Sequence, residues 1–316
     1  MGFASAPDRG YVVLPAMKLP ILTLLALAVF ARADEFSDEF KRIRESKDHG
    51  AMVKLLEEGE TKQADNANYY ALAANYWWSF ADQPNLSTKP AKLGEPSIRD
   101  PKTDKEVGSI STNGDLDPGL RQRALDLTGQ GFEKFPERLD IGFGLAQVQF
   151  KMGKKKEAVA TLGRILKVSK EKPEELKCGN GEKLPAPAAE MVPESIHGYT
   201  VPLFEEGTEE STQLCKELAE ATIAAYPEHP FCYNILAAIA DTKGDQKEML
   251  RLLKLAHEKA PEDALVLLNL AEAQKGAKLT KEAIASYKRV LELEADEELK
   301  DAAKEGIEAL ESGEEE

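Results

Sequence analysis

The sequence predicts an all-α protein, a superhelical solenoid of helix-turn-helix units with a small β-hairpin insertion. Three features point there: residues recur at a lag of 34, apolar side chains in the C-terminal half fall at helical spacing, and one N-terminal stretch is too rich in Pro and Gly for helix. The 316 residues exceed one small domain and fit about two, or one extended array. With 42% hydrophobic and 31% charged residues, and 41 Lys and Arg against 56 Asp and Glu, the chain is neither disordered nor multi-spanning and has a net charge of −15. That charge disfavours nucleic acid, whose phosphates need a basic face, and anionic lipid.

In chain order, residues 1–33 come first. Lys18 forms a short basic region, 19–30 an apolar run of 12, and Ala31-Arg32-Ala33 a small-x-small cleavage pattern. The run is shorter than the roughly 20 residues a span requires. The expectation is a signal peptide removed near Ala33, with Met17 as the true start and a periplasmic or secreted product. Residues 34–64 read as an N-terminal helical segment interrupted at Gly50. An exported chain can form disulfides. Cys178, Cys215 and Cys232 are odd in number, so small buried thiols are the favoured reading and a Cys215–Cys232 bridge the other.

The repeats come next. Leu236 returns as Leu270, Ala237 as Ala271, Glu248 as Glu282, Lys254 as Lys288 and Pro227 as Pro261. Upstream, Ala124 pairs with Ala158 at the same lag, whereas 57 residues separate Ala158 from Cys215, one period plus an insertion of about 23. Within 246–260, Met249, Leu250, Leu252, Leu253 and Ala256 make an apolar stripe with Lys247, Glu248, Arg251 and Lys254 outside.

This pattern resembles the tetratricopeptide repeat (TPR) and uncharacterised exported bacterial proteins that contain it. The family's Leu-small pair appears as Leu145-Ala146, Leu236-Ala237 and Leu270-Ala271. Its early small residue of the second helix is Ala124, Ala158, Cys215, Met249 and Ala283, and its terminal Pro is Pro136, Pro227 and Pro261. Small residues let two helices approach, and Pro ends the second one because it lacks a backbone donor. The expected organisation is units one and two in 65–168 with the hairpin insertion at 83–116, a loop insertion at 169–207 in which Tyr199 to Phe204 restores a distorted first helix of the third unit, units three to five in 208–296, and a cap helix with an acidic tail in 297–316.

The hairpin is expected from strands Ser97-Ile98-Arg99 and 107–110 around the turn Asp100-Pro101-Lys102-Thr103-Asp104. Before it, Tyr69, Tyr70, Tyr76, Trp77 and Trp78 crowd one helix with aromatic rings on nearly every side, so one face is core and another needs a cover. Catalytic chemistry is not in view. His49, His197, His229 and His257 lack metal-ligand spacing, and no cofactor motif is present, so neither a metal nor a cofactor is expected and the chain does not read as an enzyme.

The resemblance implies binding of an extended peptide along a concave groove by Asn residues of the first helices, here Asn269 and, one step off register, Asn234. The expected partner-binding set is Tyr70, Trp77, Trp78, Arg99, Asn234 and Asn269, and the expected function a scaffold for a protein or peptide, favourably one with a basic face. Two other classes remain: a self-assembling structural subunit using Ile307 and Leu310, and a glycan-acting envelope enzyme using Glu95 or Asp104 beside Trp77 and Trp78.

Overall fold

A computed structural model describes residues 34–87, 97–179 and 181–312 of the chain. The expected signal peptide at 1–33 and Glu95 lie outside the described residues. Within them are fourteen α-helices and five short strands, in two compact units, residues 34–185 and 186–312. All-α helix pairs in series are thus the architecture, and no helix among the described residues is long and apolar enough to cross a membrane.

The N-terminal unit opens with α1 (Glu35–Ser46) and α2 (His49–Lys62), which pack on each other. The break between them falls at Lys47, in the left-handed region at φ 58°, and not at Gly50, which lies inside α2. Asp48 sets the restart by accepting the Ala51 amide at 2.9 Å. Next, α3 (Ala67–Ala81) packs on α5 (Gly119–Lys134), and α6 (Leu139–Lys151) on α7 (Lys155–Glu171).

The insertion between α3 and α5 is larger than a hairpin. Strands β1 (Pro84–Ser87), β2 (Ser97–Arg99) and β3 (Glu106–Thr112) form an antiparallel sheet in the order β1-β3-β2, and the short α4 (Asn113–Leu116) follows. No strand was expected at 84–87; Pro84 is the first residue of an edge strand, where its missing donor is tolerated.

The C-terminal unit stacks α8 (Ala188–Glu205) on α9 (Glu209–Ala225), α10 (Phe231–Thr242) on α11 (Gln246–Lys259) and α12 (Ala264–Gly276) on α13 (Thr280–Glu292), and α14 (Glu297–Ser312) covers α13. The loop expected at 169–207 is corrected here: 188–205 is an 18-residue helix running through Pro193 and Pro202. Burial of Val192, Ile196, Tyr199, Val201 and Leu203 overrides the helix-breaking tendency of the two prolines. The remaining 172–187 holds one 3₁₀ turn and a two-stranded ribbon, β4 (Lys177–Cys178) with β5 (Glu182–Lys183).

Two devices hold the helices together. Ala124, Ala158, Cys215 and Ala283 have no exposed surface and Met249 only 4%, as the period requires. The second device, unforeseen, is an aromatic side chain seated on a glycine: a Cβ at Gly59 would lie 2.5 Å from the Tyr69 ring, at Gly131 2.6 Å from Tyr70 Cβ, at Gly142 2.7 Å from the Phe132 ring, and at Gly306 closer still to the Tyr287 ring.

A polar node joins three parts of the N-terminal unit. The buried Arg138 donates to both Asp140 carboxylate oxygens (2.9 and 2.8 Å), to Asn68 Oδ1 at 3.0 Å and to the Gly179 carbonyl. Asn68 in turn donates to Asp34 Oδ2 at 2.8 Å, and Asp34 caps α1 through the Ser37 amide. Cys215 and Cys232 are free thiols, each pushed up to about 12 by burial and so protonated and inert.

Candidate functional site

In the N-terminal unit a cavity of about 380 Å³ opens between α2, α3 and the start of α5. Phe80 and Trp77 floor it, Val53 and Leu120 add apolar wall, and His49, Asn113, Asp117 and Arg123 make a polar rim. Each rim group is held in place. The His49 ring stacks on Phe80 with centroids 4.0 Å apart, and its Nδ1 lies 2.5 Å from the Tyr76 hydroxyl, a phenol that burial keeps protonated. Arg123 lies over the Trp77 ring at 4.4 Å while donating to Glu60 at 2.7 Å. Asn113 donates to the Phe80 carbonyl, and Asp117 accepts the Gly119 amide. Asn113 and Asp117 close the inserted segment, so the insertion ends in the cavity wall.

An aromatic floor with a few fixed polar groups suits a protein side chain or a small planar group. No three His, Cys, Asp or Glu side chains among the described residues are grouped to hold a metal.

Within the N-terminal unit the residues expected to bind a partner do not share one site. Tyr70, 3% exposed, is core: its hydroxyl donates to the Ala64 carbonyl and its Cβ rests on Gly131. Trp77, 4% exposed, is also mainly core while lining the cavity. Trp78 is half-buried between Arg121 (5.9 Å) and Lys151 (5.3 Å), its indole N–H sealed and without an acceptor. Arg99 is exposed on β2 but turned onto Asp104, donating to its carbonyl at 3.0 Å and its carboxylate at 3.2 Å. In the other unit, Asn269 is 3% exposed and its carboxamide oxygen is sealed without a partner, so it is not open to a ligand. Asn234 on α10 is half-buried and its oxygen is likewise sealed.

The correction has one cause: a one-sided helix reading cannot tell which neighbour covers each face. Missed altogether were His49 and Phe80, whose partnership spans α2 and α3 and leaves no mark in local spacing.

No family model and no curated protein matches the chain. Solved structures similar to it include MamA (14% identity, 57% of this chain and 92% of that one, TM-score 0.37) and PilW, described as a widely conserved type IV pilus biogenesis factor (10%, 82% and 94%, TM-score 0.36). Another is TTC0263, a thermophilic TPR protein of Thermus thermophilus (17%, 61% and 93%, TM-score 0.35). At these scores the architecture rests on the chain's own helix pairing, and nothing about activity or partners follows from the likeness.

Proposed function

We propose that the chain is a non-catalytic scaffold that binds a protein partner, and that the partner enters the cavity between α2, α3 and α5. The single observation behind this reading is that cavity: aromatic on its floor, polar on its rim, and walled partly by the end of an inserted segment. Long insertions in a repeat are commonly functional, and aromatic pockets are where protein partners anchor.

Export completes the reading. The expected cleavage after Ala33 would leave Asp34 first, and Asp34 is the residue that caps α1 and bonds Asn68, so such cleavage would keep the cap of the first helix. A basic partner is favoured by the surplus of acid in the segment that supplies most of the cavity wall, residues 34–117, with seventeen Asp and Glu against eleven Lys and Arg.

The test places a photo-crosslinking residue at Leu120, in the cavity wall, and separately at Lys47, an exposed position in the turn between α1 and α2. In the native host the Leu120 probe should capture one partner, and Phe80→Ala should abolish capture while circular dichroism stays unchanged. Equal capture from both positions, or none from Leu120, would refute the site.

A further inference from the structure

A second groove, of about 390 Å³, lies between α5 and α7 with α6 as its floor, and no feature of the scaffold reading uses it. Gly129 lines it. A glycine inside a helix weakens that helix, and it is normally kept where a neighbour needs the room. Gly131, two residues on, has that reason, because Tyr70 fills the space; at Gly129 an added Cβ would meet nothing within 4 Å. The α5 backbone is therefore open at a concave place lined by Leu125 and Leu145, where another chain could lie against it.

The charge distribution says which chain. Within the groove Asp126 and Glu157 balance Lys154 and Arg164. The surrounding segment does not balance: residues 118–185 carry fourteen Lys and Arg against nine Asp and Glu, a net of +5 in a protein of net −15. Exposed Lys134, Lys151 and Lys167 belong to the three helices that form the groove. Residues 186–316 are the reverse, thirteen against twenty-nine, a net of −16. Their last helix, α14, buries Leu299, Ala303 and Gly306 and turns Glu298, Asp301, Glu305 and Glu308 to solvent.

We infer that the groove between α5 and α7 docks the acidic C-terminal unit of a second copy of this chain. Such a contact joins two different surfaces and is head-to-tail, so it can propagate or close into a ring. Opposed charges give it register and a steep salt dependence.

Sedimentation equilibrium of the full chain over a range of concentrations and salt tests it. Association beyond the monomer is expected at low salt, weakening about tenfold or more toward high salt as the charges are screened. Lys154→Glu with Lys167→Glu should abolish it, as should Glu305→Lys with Glu308→Lys. Each double variant alters one of the two opposed surfaces and leaves the other intact, so a mixture of the two restores one unaltered pairing and should associate again. Gly129→Leu separates docking from folding: it should fill the groove and prevent association while the melting temperature stays level or rises. A chain that is monomeric throughout, or that associates regardless of salt and of Gly129→Leu, would overturn the inference. A monomer that instead binds polyglutamate would also overturn it, by assigning the groove to a foreign acidic segment.

Discussion

The two units solve the same packing problem by different means. The C-terminal unit is a regular series in which Ala237, Ala256, Ala271 and Ala283, all without exposed surface, let aliphatic helices pack at one period. The N-terminal unit relies on rings seated on glycines and on the Arg138 node, and it carries the inserted sheet and the cavity. Regular packing is indifferent to which unit is which. Individual ring-on-glycine contacts and a buried ion pair are not, so the N-terminal unit is where a single substitution does the most harm and where a particular site can be built.

The largest expected effect is at the node. Arg138→Ala leaves the buried Asp140 carboxylate without its cation and should destabilise the N-terminal unit by about 3–5 kcal/mol, whereas Arg138→Met with Asp140→Leu should cost far less, because nothing charged is left stranded. Chemical denaturation checks both; equal losses would mean that the node acts by packing and not by charge pairing.

Acid should act on the other unit. Burial first, and the neighbouring His229 second, lower His197 to about 4 from an ordinary 6.5. The unfolded chain then binds the proton more tightly than the folded one between those values, so stability is intact above about pH 6.5 and is lost as pH falls toward 4. The loss is about 3 kcal/mol if the whole shift is realised. Thermal melts from pH 7 to 4 should show that slope, and His197→Leu should flatten it. An unchanged slope would place the acid sensitivity elsewhere.

Of smaller size, Gly306→Ala drives a methyl into the Tyr287 ring and should cost about 1–3 kcal/mol, a test of whether the ring-on-glycine device also matters at the end of the regular unit. The sharpest pair lies in α5. Gly131→Ala should destabilise by a similar amount, while Gly129→Ala should add up to about 1 kcal/mol, since only propensity changes there. Losses of equal size at the two glycines would show that the open space beside Gly129 is not real in solution.

Legibility in the sequence follows the same division. Period, helix pairs and the small residues Ala124, Ala158, Cys215 and Ala283 could be read because they repeat. Helix α8 could be read only at its end, 199–204: Pro193 and Pro202 speak against helix locally, and only tertiary burial of Val192 and Ile196 answers them. Tyr70 and Trp77 were recognisable as an aromatic cluster, but which of them is covered depends on Gly131 and Arg123, sixty-one and forty-six residues away respectively. Asn269 was placed correctly on its helix, yet burial seals it. His49 and Phe80 carry no signal short of the fold itself.

Hydrogen exchange on the chain with its captured partner tests the central claim most directly. Protection is predicted at 49–53, 77–80 and 113–123, around the cavity of the N-terminal unit. Protection confined to the first helices of the C-terminal unit, 231–242 and 264–276, would contradict it and return the binding surface to the regular repeats.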